Sequence, residues 1–415
     1  MLIPTSEYKE RVERCQDFLK HSGLKAVLGY SDHRFAMGQG VEVGQHMRYY
    51  AGFRFPPEEI HEAQVLLPYT RGVDIVVIPT AGDPALVMSR ADEDLVKRQT
   101  WIRDVRSGQR RQKEAGRAKG LAAMVREVLH DRRILNGKIG VAGVGVTWEL
   151  YEALVKALPK SSFISCSEAV DRLRMVKTEN ELKVMRKAAE IAEVGVEALL
   201  AAGKEGVAEY EVHQAAEKAM FEAGGDNPWT TIVSGPRAQL FSAFTRPDFT
   251  QRRLKSGDWL RADIGSEYLG YHSDVQPDTI IGQPRREQIS LLETEIKILH
   301  AMIEATRPGV SERDIVQAAV TASGGKLRMW YIGHGYGVGM DPPFLTDRSL
   351  HKLREDEVIL KPNMVICYEP ALHIPGVGTS ALEDEILVTE NGCEVITNRV
   401  RDAEQFCSKW KSLGA

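Results

Sequence analysis

The chain lacks the features that would place it in several protein classes. No stretch approaches the roughly 18 consecutive apolar residues of a transmembrane helix, so no membrane span is expected. Its 54 lysines and arginines against 58 aspartates and glutamates give a net charge of −4, which favours neither nucleic acid nor an anionic membrane as partner. The first residues lack the basic-then-apolar order of a secretory signal, so we expect a cytoplasmic protein.

Cysteine is also scarce, and its placement excludes a disulfide framework. The chain has five cysteines, an odd number, and none of them forms a CxxC pair. Free thiols in a reducing compartment are the simple interpretation. The cysteines are Cys15, Cys166, Cys367, Cys393 and Cys407.

The length of 415 residues, with 43% apolar and 27% charged residues, indicates a soluble globular protein of two domains. The first 165 residues alternate strand and helix patterns, which predicts an α/β domain over residues 1–168. A basic stretch at Asp171–Lys177 leaves this pattern, and residues 169–415 form the second predicted domain. The predicted strands are Lys25–Tyr30, Gln64–Pro68, Asp74–Pro79 and Lys138–Ala142, and the predicted helices lie near 6–21, 118–132 and 148–158.

The second domain contains a repeated pattern. Thr178 with Glu181 forms a capping-box signature, and an apolar stripe at helical spacing follows it. A second such helix starts near Ile289, and each is followed by a similar segment, GVAEYEV at 206–212 and GVSERDI at 309–315. The two segments lie 103 residues apart, which predicts an internal duplication of a helix–turn–helix–strands unit with pseudo-twofold symmetry.

Two aspartates follow the first copy of the repeat. Asp263 precedes Asp274 by eleven residues. Gly257 and Gly270 are typical of hairpin turns, so adjacent antiparallel strands are predicted to carry both carboxylates on one face.

Three further ligand-type side chains follow the second copy. His334 stands among glycines, which allow a close approach to the backbone. Glu369 and Glu383 lie fourteen residues apart, on two predicted strands joined by a turn rich in glycine and proline.

Four carboxylates and one imidazole suit two divalent cations such as manganese, iron, cobalt or zinc. Such a pair of cations lowers the pKa of a shared water molecule and makes it a nucleophile near neutral pH. Singly, an aspartate beside a glycine is more often a turn residue, and a glutamate before proline is more often a solvated strand end. The joint pattern favours a metal site formed by Asp263, Asp274, His334, Glu369 and Glu383.

These five residues and their flanking motifs resemble the methionine aminopeptidase, prolidase and creatinase superfamily. The motifs are GD before the first aspartate, Gly–Tyr before the second, GHG at the histidine, and EP and ED at the glutamates. The resemblance covers about residues 165–400 and implies an α+β protein: a pita-bread catalytic domain after an α/β domain like those of creatinase and aminopeptidase P. It also implies a homodimer whose amino-terminal domain caps the partner's site, and residues 42–55 are the expected capping segment.

The sequence departs from the superfamily around these ligands. Ser242 and Asp341 stand where peptidase members usually carry histidines, and Ala381 stands where an arginine is common. Gln276-Pro277-Asp278 replaces a frequent Thr-Arg-Thr. The usual residues bind the substrate carbonyl and steady the intermediate, so we expect poor turnover of Xaa-Pro peptides.

Five side chains are candidates for substitute roles. His272 and Arg261 each share a strand face with an aspartate ligand, because residues two apart point the same way. His272 is either a proton shuttle or a solvated histidine. Arg261 binds a substrate carboxylate bidentately or pairs with a neighbouring acid. His373 is a substrate-binding candidate together with Ser242. Asp341 is a catalytic candidate, and its negative charge would favour a cationic substrate.

The sequence thus predicts a dinuclear metallohydrolase that cleaves a C–N bond of a small polar substrate, cationic or zwitterionic, in the manner of creatinase. Glu369 is the expected general base, because a ligand carboxylate beside the activated water can accept its proton. The alternatives are an Xaa-Pro dipeptidase or aminopeptidase, a metal-dependent lyase of a small zwitterion, and a metal-free binding module. Unpaired buried acids argue against the last.

Overall fold

The computed structural model describes residues 3–32, 45–52, 73–88, 93–108, 116–143, 146–239, 250–325, 327, 331–351 and 357–412. The chain divides into two compact units, Met1–Arg174 and Met175–Ala415. The division falls inside the basic stretch at 171–177, a few residues after the predicted boundary at residue 168.

The amino-terminal unit is built on a six-stranded mixed sheet with the strand order β4-β3-β2-β1-β5-β6. Its strands are β1 (Ala26–Asp32), β2 (Val73–Pro79), β3 (Ala85–Met88), β4 (Asp104–Ser107), β5 (Gly137–Ala142) and β6 (Ser161–Ser165). Its helices are α1 (Thr5–Ser22), α2 (Glu93–Gln99), α3 (Arg117–Asp131), α4 (Trp148–Ala157) and α5 (Ser167–Asp171). Three predicted strands and all three predicted helices are confirmed, β3, β4 and β6 were missed, and the predicted strand 64–68 lies outside the described residues.

The core of this unit follows from the period of two along a strand. Ala26 and Leu28 of β1 and Ile75 and Val77 of β2 point to one face and pack with apolar residues of α3 and α4. The opposite hydrophobic positions are also buried, as expected for a sheet that is covered on both faces.

The expected capping segment, 42–55, is described only from residue 45 to residue 52. This part forms a short helical turn, Met47–Ala51, whose Tyr49 and Tyr50 are each 1% exposed. Trp101 Nε1 donates a hydrogen bond to the Tyr50 carbonyl oxygen at 2.8 Å, and Arg11 stacks on the Tyr49 ring. Both tyrosines therefore belong to the core of their own unit, and a contact of this segment with a partner subunit stays a prediction.

The carboxy-terminal unit combines helix pairs with two main sheets, ordered β11-β8-β7 and β13-β12-β14-β17-β18. Its helices are α6 (Glu179–Ala202), α7 (Glu209–Glu222), α8 (Arg286–Ala305), α9 (Glu312–Ser323) and α10 (Arg399–Ser412). Its strands are β7 (Trp229–Ser234), β8 (Trp259–Gly265), β9 (Glu267–Tyr268), β10 (Tyr271–His272), β11 (Thr279–Ile280), β12 (Gly333–Tyr336), β13 (Met340–Leu345), β14 (Val365–Tyr368), β15 (Leu372–Ile374), β16 (Gly378–Ser380), β17 (Asp384–Val388) and β18 (Cys393–Val395). Among the described residues, no helix combines the length and apolar character that a membrane crossing requires.

The internal duplication is confirmed by element order and by matching backbone contacts. The pair α6–α7 precedes β7 and β8, and the pair α8–α9 precedes β12 and β14. Gly206 and Gly309, which open the repeated segments, adopt φ of 87° and 89°, a left-handed conformation that favours glycine. Gly206 N donates to the Leu254 carbonyl oxygen, and Gly309 N donates to that of Leu360.

Helix α6 begins as the sequence predicts. The Thr178 side chain accepts a hydrogen bond from Glu181 N, and the Glu181 carboxylate accepts one from Thr178 N. The predicted stripe is buried throughout, because one face of the helix packs on the sheet that carries the aspartates. Its members are Leu182, Met185, Ala189, Ala192, Val196 and Leu199.

Candidate metal centre

The two aspartates are positioned by β8 and the hairpin that follows it. Asp263 lies on β8, opposite Thr231 of β7. The turn between β9 and β10 consists of Leu269 and Gly270, with φ of 50° and 85°, the positive values that a type I′ hairpin turn requires. The chain then returns, and Ile264 pairs antiparallel with Val275, which brings Asp274 back beside Asp263. The predicted hairpin is confirmed.

The other three side chains come from the five-stranded sheet. His334 lies on β12, which pairs antiparallel with β14. Glu369 directly follows β14 and Glu383 directly precedes β17, and these two strands pair antiparallel. The two glutamates therefore stand opposite each other at one end of the pair. A bridge between Gln276 and Glu383 joins this sheet to the strand segment of the aspartates.

The structure brings all five predicted ligands together. Carboxylate oxygens of Asp263, Asp274 and Glu383 lie within 4.8 Å of one another. His334 Nε2 lies 3.5 Å from Asp274 Oδ2 and 3.7 Å from Glu369 Oε1. Asp263 and Asp274 are each 6% exposed, and His334 and Glu383 are each 1% exposed.

The four carboxyl groups of this cluster lie close together and carry raised pKa values, because burial and their mutual repulsion disfavour the ionised forms. Burial raises the pKa of Asp263 to about 7 and that of Glu369 to about 8. Burial and the neighbouring carboxylates raise the pKa of Asp274 and of Glu383 well above the usual range. Within the described part of the chain, no donor stands in hydrogen-bonding geometry to either carboxylate oxygen of Glu383 or to Asp274 Oδ1.

The imidazole of the cluster is ready to act as a ligand. Burial lowers the pKa of His334 to about 4, so the ring is neutral near pH 7. His334 Nδ1 lies 3.0 Å from the Gly335 carbonyl oxygen, and this acceptor fixes the proton on Nδ1. The Nε2 lone pair therefore points to the carboxylates. A neutral imidazole among four buried carboxyl groups fits divalent cations, which would supply the missing positive charge.

The structure also shows residues around the cluster that were not among the predicted site residues. Gln276 Nε2 donates to Glu369 Oε2 at 2.9 Å and so orients that carboxylate. Glu385 Oε1 accepts a hydrogen bond from Asp274 N at 2.8 Å. Cys367 lies two residues before Glu369, and Glu385 lies two residues after Glu383. The period of two along a strand could have placed both on the face of the ligands.

Arg261 pairs with a neighbouring acid, which was one of its two predicted roles. Its Nε donates to Asp278 Oδ2 at 3.0 Å, and both side chains are buried. Asp278 also accepts hydrogen bonds from the backbone N of Ala262 and of Ala381. The pair therefore ties β8 to the segment that leads into Glu383, and substrate binding by Arg261 stays a prediction.

Asp341 forms a buried ion pair with a lysine. Its carboxylate is fully buried and lies 3.1 Å from Lys177 Nζ, whose side chain is 2% exposed. Lys177 also donates to the Met175 carbonyl oxygen at 3.1 Å. This ion pair weakens the expectation that an anionic Asp341 favours a cationic substrate, and that expectation stays a prediction. A catalytic role of Asp341 stays a prediction.

The remaining candidates are placed as follows. His272 is fully buried rather than solvated, and its ring centroid lies 5.9 Å from that of Tyr336, which in turn lies 5.2 Å from that of His334. His373 is half-buried, and its Nδ1 lies 2.9 Å from Thr379 Oγ1 across the β15–β16 hairpin. Ser242 lies outside the described residues. Roles for these three in turnover stay predictions.

Comparison with known proteins agrees with this arrangement. Residues 183–390 match metallopeptidase family M24, and residues 11–176 match the creatinase/prolidase N-terminal domain. An Xaa-Pro dipeptidase of Pyrococcus horikoshii is 30% identical over 271 residues, which cover 63% of this chain and 75% of that protein.

Solved structures share the fold at lower identity. An Xaa-Pro dipeptidase from Bacillus anthracis superposes with a TM-score of 0.72 at 24% identity, covering 94% of this chain and 97% of that one. Prolidase from Pyrococcus furiosus superposes with a TM-score of 0.71 at 22% identity, covering 92% of this chain and 98% of that one. The chain therefore belongs to metallopeptidase family M24, as a metal-dependent hydrolase of the two-domain prolidase and creatinase branch.

Proposed function

We propose that this chain is a dinuclear metallopeptidase that hydrolyses Xaa-Pro dipeptides. The observation that carries the proposal is the buried cluster of four carboxyl groups and one neutral imidazole in the catalytic domain. The relative from Pyrococcus horikoshii is an Xaa-Pro dipeptidase, which supports this substrate class. This ranks the peptidase function above the creatinase-like function that the sequence analysis placed first.

Each of the five side chains has a defined part in holding the cations. Asp263, Asp274 and Glu383 would supply carboxylate oxygens, and His334 Nε2 and Glu369 Oε1 would complete the ligand set. Two divalent cations of manganese, iron, cobalt or zinc would activate a water molecule and polarise the carbonyl of the scissile bond.

Glu369 is the proposed general base. Gln276 holds one of its two carboxylate oxygens at 2.9 Å, so the group is oriented before substrate arrives. As an ionised ligand carboxylate beside the attacking water, Glu369 can accept its proton and pass it to the leaving group. In hydrolysis the water oxygen bonds to the carbonyl carbon, the C–N bond breaks, and the proline nitrogen takes up the proton that Glu369 held.

A second candidate is hydrolysis of a small zwitterion, as in creatinase. The observation that favours it is the absence of an imidazole at residue 341, where peptidase members of the superfamily usually carry one. The ion pair with Lys177 weakens this candidate, because Asp341 no longer offers a free charge to a cationic substrate. It therefore ranks second.

We also propose a homodimer. The proposal rests on the match to the creatinase/prolidase N-terminal domain, since the superfamily resemblance implies that this domain caps the partner's site.

The test is a comparison of substrates with manganese-loaded protein. We expect release of proline from Gly-Pro and related dipeptides, loss of that activity in Glu369→Gln, and retention of it in Glu390→Gln, which changes an exposed glutamate outside the cluster. Hydrolysis of an amidine-bearing zwitterion without turnover of any Xaa-Pro dipeptide would replace the proposal with the second candidate.

A further inference from the structure

Cys367 lies beside the metal cluster but is not one of its five predicted ligands. It occupies β14, where His334 is its cross-strand partner on one side and Glu385 on the other. Residues that pair directly across strands point to the same face, so the thiol shares a face with the imidazole ligand. Cys367 is fully buried, and its Sγ lies 3.9 Å from the Asp274 carbonyl oxygen.

The neighbours of Cys367 along β14 have a different environment. Ile366 and Tyr368 point to the opposite face and belong to the apolar core of the unit. Cys367 is buried but is not a member of the described apolar cluster that holds Ile366 and Tyr368. A buried cysteine often acts as a small apolar filler, but the Cys367 thiol also lies beside the ligand-type side chains of His334 and Glu383.

The distances suit one shared cation. Cys367 Sγ, a ring nitrogen of His334 and a carboxylate oxygen of Glu383 all lie within 4.8 Å of one another. Typical metal–sulfur and metal–nitrogen bonds of about 2.3 and 2.1 Å allow two donors on one ion to stand up to about 4.4 Å apart. The three donors thus reach one cation after small side-chain adjustments.

A second observation points to a ligand at this position. Among the described residues, no donor meets hydrogen-bonding geometry at either carboxylate oxygen of Glu383, although Gln276 lies nearby and the side chain is 1% exposed. A buried carboxylate without donors is costly unless a cation completes it.

We propose that Cys367 is a sulfur ligand of one cation of the centre, together with His334 and Glu383. As the sulfur–metal bond forms, the thiol proton passes to solvent. Because thiolate is a soft donor, this ligand shifts the preference of the centre from manganese toward zinc, cobalt and cadmium. The inference rests on the metal centre of the proposed function and adds a ligand to it.

The test uses the full chain loaded with Co²⁺, in wild type, Cys367→Ser and Cys393→Ser. Cys393 is the matched control, because it lies half-buried on β18 of the same sheet and its Sγ contacts the Ile303 carbonyl oxygen. Wild type and Cys393→Ser are expected to show a near-ultraviolet sulfur-to-cobalt charge-transfer band, and Cys367→Ser is expected to lose it. Cadmium affinity should fall at least about tenfold in Cys367→Ser, with manganese affinity changed little.

The outcomes separate this inference from the proposed function. Wild type that takes up about two Co²⁺ per chain without the band, or Cys367→Ser that keeps the band, overturns the sulfur ligand alone. Wild type that takes up no Co²⁺ overturns both. If Cys367→Ser does not fold, ¹¹³Cd NMR of wild type decides: a resonance in the sulfur-bound range supports Cys367, and resonances only in the range of nitrogen and oxygen ligands overturn it.

Discussion

Removal of the cations should make the stability of the catalytic domain depend on pH in a defined direction. Burial raises the pKa of Asp263 from 3.8 to about 7 and that of Glu369 from 4.5 to about 8. In the unfolded chain both groups ionise near pH 4, whereas in the folded metal-free protein they keep their protons. The stability present below pH 4 is therefore lost as the pH rises toward 7 and 8.

The size of the loss follows from the same values. For Asp263, the difference between the unfolded pKa of 3.8 and the folded pKa of about 7 corresponds to about 4 kcal/mol of lost stability. The corresponding pKa difference for Glu369 amounts to about 5 kcal/mol. Folded domains are stable by only about 5–15 kcal/mol, so the metal-free protein should be markedly weakened at pH 8. Cations act in the opposite direction, because they bind the ionised carboxylates and gain affinity as pH rises.

The assay is thermal unfolding of chelator-treated and manganese-loaded protein at pH 5, 6.5 and 8, following the transition that metal raises. For a unit of this size, about 1 kcal/mol of stability shifts Tm by roughly 2–4 °C. The Tm difference between manganese-loaded and chelator-treated protein should therefore widen by about 10 °C or more from pH 5 to pH 8. Glu383→Gln should raise the metal-free Tm at pH 8, and the exposed Glu390→Gln should not. A Tm difference between the two samples that stays constant or narrows as the pH rises would refute the reasoning.

Three further predictions concern catalysis, packing and assembly. Glu369→Gln should lower kcat on Gly-Pro by at least about 10²-fold while the protein stays folded, measured by proline release; near-normal kcat would contradict its role as base. Lys177→Met should cost about 3–5 kcal/mol in urea unfolding, because it removes the cation that faces the buried Asp341 carboxylate. Lys177→Met/Asp341→Leu should recover at least half of that loss, and additive losses would show that the pair is not coupled. Sedimentation equilibrium should give twice the chain mass of 46.2 kDa, and a monomer at micromolar concentration would contradict the dimer.

The sequence predicted the metal cluster because each half of it has local determinants and the resemblance to the superfamily joins the two halves. The turn at Leu269–Gly270 is short, and it returns the chain so that the two aspartates lie side by side. Glu369 and Glu383 flank a hairpin whose strands pair antiparallel. The duplication was visible because Gly206 and Gly309 fill equivalent left-handed positions.

The partners of the surrounding charges could not be read from the sequence. Lys177 and Asp341 are 164 residues apart, and no periodicity relates them. Arg261 had two chemically reasonable partners, a substrate and an acid, and only the fold places Asp278 beside it. The missed strands β4 and β6 form the two edges of their sheet, where half-exposed polar residues such as those of DVRS and SSFIS show little apolar alternation.

The most direct test of the central claim is the metal content of the purified chain after incubation with Mn²⁺, Co²⁺ or Zn²⁺ and removal of free ions. The account predicts close to two ions per chain by elemental analysis, a clear loss of bound metal in Asp274→Asn, and loss of peptidase activity on chelation. Only trace metal under all three conditions, or full activity in the chelated protein, would contradict it.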